Sequence, residues 1–100
     1  MKLDINGKEY DFCVKGTVGL VYLAEHVLGE DFRIGDNYHL AVLYYCCLQV
    51  SNKNRQIPTL DDFLLWLRAD TVAQMSKYFW TEWKRLEGSE QSEEEAQGEG

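Results

Sequence analysis

The sequence of 100 residues has one proline, two histidines, three cysteines and no excess of positive charge. Cys13, Cys46 and Cys47 are an odd number, and the last two are adjacent, which is unlike the disulfide framework of a small secreted protein. The first residues alternate polar and apolar side chains and do not resemble a secretory signal. We therefore expect reduced cysteines and a cytoplasmic location.

Motifs for catalysis or metal binding are also missing. The sequence contains no phosphate-binding loop, no G-x-S-x-G, and no C-x-x-C or H-x-x-x-H spacing. His26 and His39 have no neighbours in the sequence that would form a catalytic group. Asp61 and Asp62 are adjacent on a predicted helix, where neighbouring positions do not face each other. We expect no enzyme activity, no catalytic residues, no cofactor and no metal site.

The charge is acidic and unevenly distributed. Seventeen acidic and ten basic residues give a net charge of −7, and five glutamates lie among the last twelve residues without a basic neighbour. The remaining chain is close to neutral, and Lys53 with Arg55 is too sparse a basic set to bind a nucleic-acid backbone. Residues 89–100 are predicted to be a disordered acidic tail, and no nucleic-acid partner is expected.

The longest apolar stretch is Tyr38–Val50, which reads YHLAVLYYCCLQV. As a helix it would span about 20 Å, which is short of the ~30 Å hydrocarbon core of a bilayer. A membrane partner is therefore not expected. Because this helix is apolar on every face, the rest of the domain must surround it. We predict that it is the central helix, with Asp36 or Asn37 as its N-cap.

The N-terminal residues predict a β-hairpin over Lys2–Val14. Asn6-Gly7 between two alternating segments is typical of a type I′ turn, in which both central residues have positive φ. The apolar members of the alternation are Leu3, Ile5, Tyr10, Phe12 and Val14. An isolated hairpin is marginally stable in water, so this face should pack on helices.

Three further helices are predicted from capping residues and periodicity. They are Val18–Leu28 between Thr17 and Gly29, Leu60–Arg68 after Thr59, and Thr71–Glu87 before Gly88. On the first of them, Glu25 is expected to be the residue most exposed to water. The predicted fold class is α+β, with the hairpin packed on about four helices in one compact domain, 1–88, followed by the tail.

Five aromatic residues lie within eighteen positions near the end of the domain: Trp66, Tyr78, Phe79, Trp80 and Trp83. They can belong to the core, with the polar tips of tyrosine and tryptophan reaching water. They can also form a patch for an apolar partner helix, because aromatic residues concentrate at interaction hot spots. These five are the candidate partner-binding residues.

The segment from Ile5 to Phe32 resembles the phage tail assembly chaperones. The likeness comprises the hairpin I-N-G-K-x-Y-x-F and a helix reading G-L-V-Y-L-A-E-H-V-L-G-E-D-F. The matching helical positions are Gly19, Leu20, Leu23, Glu25, Gly29 and Phe32. The resemblance implies a small non-enzymatic protein that keeps a tape-measure-type protein soluble during tail assembly. It also implies an apolar helical client and possible homo-oligomers.

Two other classes remain open. The chain can be a protein-interaction adaptor or an oligomeric structural subunit, with the hairpin edge or the aromatic helix as its interface. It can also be a ligand- or metal-binding domain with a pocket between the central helix and the hairpin. Tyr44, Tyr45 and the cysteines would line such a pocket.

Overall fold

The computed structural model describes residues 1–87 with their side chains and residues 88–99 by their backbone. Its elements are β1 (Lys2–Ile5), β2 (Lys8–Asp11), α1 (Val18–Leu28), α2 (Asn37–Ser51), α3 (Leu60–Trp66) and α4 (Ala69–Glu99). One antiparallel hairpin and four helices confirm the predicted α+β class. The predicted helix end at Gly88 is wrong, because α4 continues through this residue to Glu99. The predicted disordered tail, 89–100, lies outside the residues described with side chains and stays a prediction.

The hairpin has the predicted turn and the predicted buried face. Asn6 and Gly7 have φ values of 55° and 82°, and Ile5 pairs directly with Lys8 across the turn. All five apolar residues of the alternation are buried. The backbone N–H of Phe12 also donates to the Met1 carbonyl (2.8 Å), so the pairing continues beyond the two strands.

Helix α2 is the centre of the domain, as predicted. Every residue in 42–48 is buried, and so is His39. Of the two predicted N-caps, Asp36 is the one used: its carboxylate accepts from the backbone N–H groups of Tyr38 (2.9 Å) and His39 (3.2 Å). The hairpin, α1 and α3 all contact α2.

The predicted caps and ends of the other helices are confirmed only in part. Thr59 caps α3 by accepting from the Asp62 N–H (3.2 Å), and Gly29 ends α1 with a φ of 72°. The expected cap of α1 is wrong, because Thr17 has a helical backbone and makes no side-chain cap bond. Helix α3 ends before Arg68 and α4 begins before Thr71, since the extended backbone of Leu67 separates them.

Helix α4 lies along the hairpin and contacts β1. Its first turn is beside the hairpin turn, where Thr71 and Gly7 line one cleft. Further along, Tyr78 packs edge-on against Phe12 at the open end of the hairpin (6.0 Å between ring centroids). Helix α4 therefore runs from the hairpin turn toward the hairpin's open end. No described helix is both long and apolar enough to cross a membrane.

Candidate protein-interaction surfaces

Three of the predicted partner-binding residues form an aromatic cluster on α4, which we define as Phe79, Trp80 and Trp83. The ring centroid of Phe79 lies 4.8 Å from that of Trp80 and 5.4 Å from that of Trp83. Phe79 also contacts Tyr44 of α2 (5.3 Å) and is fully buried. Both tryptophans are half-buried against the core. The cluster anchors α4 on the central helix and leaves only part of the two indoles accessible.

The other two predicted residues lie elsewhere. Tyr78 faces the hairpin rather than the aromatic cluster, and burial is the main reason that the pKa of its hydroxyl is raised. Trp66, at the end of α3, lines a cleft of about 350 Å³ with Tyr10 of the hairpin and Pro58. Among the described side chains Trp66 contacts no other aromatic ring. The structure brings three of the five residues together in the aromatic cluster, places Tyr78 against the hairpin, and places Trp66 at the end of α3.

A different surface carries more exposed apolar side chains. We call it the α1 outer face and define it as Val18, Tyr22, Leu23 and Val27. Their exposed fractions are 61%, 66%, 42% and 40%. The opposite side of α1, with Leu20 and Ala24, is buried against α2. Scattered single apolar residues are ordinary on a protein surface, but these four lie on one half of an 11-residue helix, as two pairs on either side of Gly19 and His26.

The α1 outer face carries almost no charge. At 100° per residue its four members and His26 fall within one half of the helix circumference. Glu25, which the sequence analysis expected to be most exposed to water, is half-buried instead. Its carboxylate leaves the helix surface and accepts from the backbone N–H of Phe32 (2.9 Å). The expectation for Glu25 was wrong, because its carboxylate satisfies the backbone N–H of Phe32 rather than pointing into water.

The buried His39 fixes the segment that joins α1 to α2. The backbone N–H of Arg33 donates to Nδ1 of His39 (2.8 Å), and His39 Nε2 lies 2.7 Å from a carboxylate oxygen of Glu30. Because Nδ1 accepts a hydrogen bond, the ring proton is on Nε2 and is donated to Glu30. His39 therefore satisfies both ring nitrogens by fixing the segment after α1, and this is a structural role.

The two adjacent cysteines of α2 are buried and stay protonated. Burial raises the pKa of the Cys46 thiol to about 11 and that of Cys47 further still. A thiol that stays protonated is a poor nucleophile and a poor metal ligand. Within residues 1–87, no three histidine, cysteine, aspartate or glutamate side chains come close enough to hold a metal ion.

The sequence analysis considered a pocket between α2 and the hairpin, lined by Tyr44. The cleft that Tyr44 lines in the structure does not contact the hairpin. Tyr44 lines a cleft of about 420 Å³ with Leu67 and Val72, at the corner between α3 and α4. The cysteines do not line it, and Tyr45 instead donates its hydroxyl to the Pro58 carbonyl (2.6 Å). The predicted lining was therefore wrong for Tyr45 and the cysteines: Tyr45, Cys46 and Cys47 lie in the core, and the partly exposed Cys13 does not line this cleft.

Comparison of the chain with protein-family models, with curated proteins and with solved structures finds no match. The α1 outer face and the partly accessible indoles of α4 are thus the candidate surfaces on geometric grounds alone.

Proposed function

We propose that this chain is a non-enzymatic binding protein of the phage tail assembly chaperone type. It would bind an apolar helical segment of a tape-measure-like client in the cytoplasm of a bacterial host and keep that client soluble. The observation that carries the proposal is the α1 outer face, an uncharged stripe of four exposed apolar side chains on an otherwise well-packed domain.

The shape of this face suits a helix. Val18 and Tyr22 are four residues apart, as are Leu23 and Val27, so each pair forms a ridge along α1. A client helix with its own apolar stripe can pack against these ridges as two helices pack in a protein core. Removing apolar surface from water contributes about 25 cal/mol per Å². The same contact removes the apolar stripe of the client from water, which is what a chaperone of this type must do.

The residues that carry the family resemblance have definite places in this structure. Leu20 packs into the core, and Glu25 and Phe32 are joined by a hydrogen bond. Gly29 provides the left-handed helix end, and Leu23 belongs to the α1 outer face. The resemblance therefore covers the element that presents the candidate surface, and this supports assigning client binding to α1.

The test is co-expression with a tape-measure-like protein. We expect the wild-type chain to co-purify with this client and to raise its soluble fraction. A variant with Tyr22→Ser, Leu23→Ser and Val27→Ser should lose both effects. The matched control is Ile34→Ser with Leu65→Ser, which removes apolar side chains that are 63% and 79% exposed outside α1.

The control should retain client binding. Failure of the wild-type chain to co-purify with the client or to solubilise it would contradict the proposal. The alternative is a protein-interaction adaptor or an oligomeric structural subunit. A mass that grows with concentration in light scattering, without any client, would favour that alternative.

A further inference from the structure

The apolar pattern of the α1 outer face reads the same from either end of the helix. Val18 and Val27 lie at the two ends, and Tyr22 and Leu23 lie next to each other at the centre. The midpoint falls between Tyr22 and Leu23, and each valine is four residues from the nearer central residue. A two-fold interface needs a self-complementary surface, and this pattern is self-complementary when two copies of α1 run in opposite directions.

Two other residues of α1 follow the same symmetry but differ greatly in size. Gly19 and His26 lie at equal distances from the midpoint, and both are exposed. At 100° per residue they point in nearly the same direction, along the groove between the two apolar ridges. When two copies of α1 pair in opposite directions, the imidazole of each copy therefore meets the glycine of the other.

The packing of a single chain does not require a glycine at position 19. A Cβ added to Gly19 would have no neighbouring atom within 4 Å, and the backbone there is not left-handed. Glycine is less favourable in a helix than any residue except proline, so another residue would suit an isolated α1 better. Space for a side chain of a second copy gives this glycine a reason.

The two ends of α1 are complementary in charge. Lys15 precedes the helix by three residues, Asp31 follows it by three, and both are exposed. Within α1 the one charged side chain, Glu25, turns to the backbone of Phe32. Antiparallel pairing brings Lys15 of each copy to the same end as Asp31 of the other, whereas parallel pairing would bring like charges together.

We propose that two copies of this chain pair through their α1 outer faces, in opposite directions, with His26 of each copy over Gly19 of the other. The pair covers this face when no client is present, so a client helix has to displace the second copy. This covering role rests on the proposed function, whereas the pairing itself does not. A helix of 11 residues is about 16 Å long. The interface is therefore small, and the association is weak and reversible.

Such an association ends at two chains, because a two-fold interface uses the same face of both copies. The mass of the free protein should therefore rise with concentration to that of a dimer and no further. The mass of a subunit that builds larger assemblies would continue to rise.

Sedimentation equilibrium of the full chain, from about 10 μM to about 1 mM, measures the dissociation constant in the range expected for a small interface. Gly19→Gln should raise it about tenfold or more, because the new side chain takes the space of the imidazole. Adding His26→Ala to this variant returns the space and should restore pairing. The matched control is Gly35→Gln, since Gly35 also has open space at its Cβ and lies outside α1.

The control should pair as wild type does, and circular dichroism should show the same helix content in every variant. A wild-type chain that stays monomeric at the highest concentration would overturn the proposal. So would a Gly19→Gln variant that pairs as tightly as wild type.

Cross-linking tests the direction of the pair. Cys13→Ser removes the one partly exposed thiol, and Gly19→Cys and His26→Cys are then made as two separate proteins. Oxidation with copper phenanthroline should form a disulfide when the two are mixed. Neither should cross-link to itself, because antiparallel pairing separates equal positions by about 10 Å along the helix.

Self-cross-linking of each single variant as readily as of the mixture would indicate parallel pairing and overturn the proposal. Failure of the wild-type chain to bind or solubilise the client is a separate result. It would contradict the proposed function and would leave the sedimentation and cross-linking outcomes unchanged.

Discussion

The side-chain amide of Asn52 forms hydrogen bonds with both backbone groups of Asp11. Asn52 Oδ1 accepts from the Asp11 N–H (3.1 Å), and Asn52 Nδ2 donates to the Asp11 carbonyl (2.8 Å). The Ser51 hydroxyl accepts from the Cys13 N–H (2.8 Å) in the same way. The end of α2 thus takes the place of a third strand along β2 and protects an edge that could otherwise pair with another chain.

Replacing Asn52 tests the importance of this contact. The residue is 5% exposed, and Asn52→Ala leaves the Asp11 backbone groups without their partner. We expect the free energy of unfolding to fall by about 2–4 kcal/mol, since buried polar groups become unsatisfied. Urea denaturation measures the change. The control Asn54→Ala, on the exposed loop, should stay within about 0.5 kcal/mol of wild type, and an equally small effect of Asn52→Ala would contradict this role.

The two sides of α1 should respond differently to truncation. Leu20→Ala removes a side chain that is 2% exposed, and we expect a loss of about 2–5 kcal/mol in the free energy of unfolding. Tyr22→Ala, on the α1 outer face, should change it by no more than about 0.5 kcal/mol. Thermal or urea unfolding of both variants measures the contrast. A large loss for Tyr22→Ala would mean that this side chain is part of the core.

The elements that the sequence predicts well are those with a strong local cause. Asn6 and Gly7 define the hairpin because few other residue pairs adopt positive φ twice in succession. The central position of α2 follows from its apolarity on every side, which leaves no face for water. Thr59 is recognisable as the cap of α3 from local sequence, because capping depends on the next three residues alone.

The exposed surfaces depend on long-range packing and are harder to predict. Helix α1 is apolar around most of its circumference, so its periodicity does not show which side packs on α2. Glu25, the one acidic residue of α1, predicts the outer side, but its carboxylate turns toward the Phe32 backbone instead. Trp66 is close in sequence to the aromatic residues of α4, and the extended Leu67 redirects the chain so that it packs elsewhere. No local pattern encodes that change of direction.

Thiol reactivity reports on the burial of the central helix. Because burial raises the pKa of Cys46 to about 11 and that of Cys47 further, both thiols should be protonated at neutral pH and inaccessible to Ellman's reagent. Cys13 is partly exposed and should react first. We expect one fast thiol in the native protein and three in denaturant. Cys13→Ser should remove the fast phase, and rapid reaction of all three native thiols would contradict the packing of α2.

Acid should weaken the cap of α2. Hydrogen bonds from the backbone N–H groups of His39 and Tyr38 lower the pKa of the Asp36 carboxyl below its usual value of 3.8. The stability that this charge provides is therefore fully present above pH 3.8 and is lost as the pH falls through the lowered pKa. Asp36→Asn keeps a capping oxygen without the charge.

The melting temperature of wild type should exceed that of Asp36→Asn near neutral pH. Circular dichroism melts of both proteins over a pH series measure the difference, which should shrink below about pH 3.8 as the carboxylate is protonated. A difference that stays constant through this range would show that the charge of Asp36 does not stabilise the cap.

Chemical-shift mapping of the bound client tests the central claim most directly. The full chain would be titrated with a peptide that spans one predicted apolar helix of a tape-measure-like protein. We predict that the largest amide shifts fall on the α1 outer face, at Val18, Tyr22, Leu23 and Val27. Shifts centred on Trp80 and Trp83, with α1 unchanged, would contradict the account and assign client binding to α4.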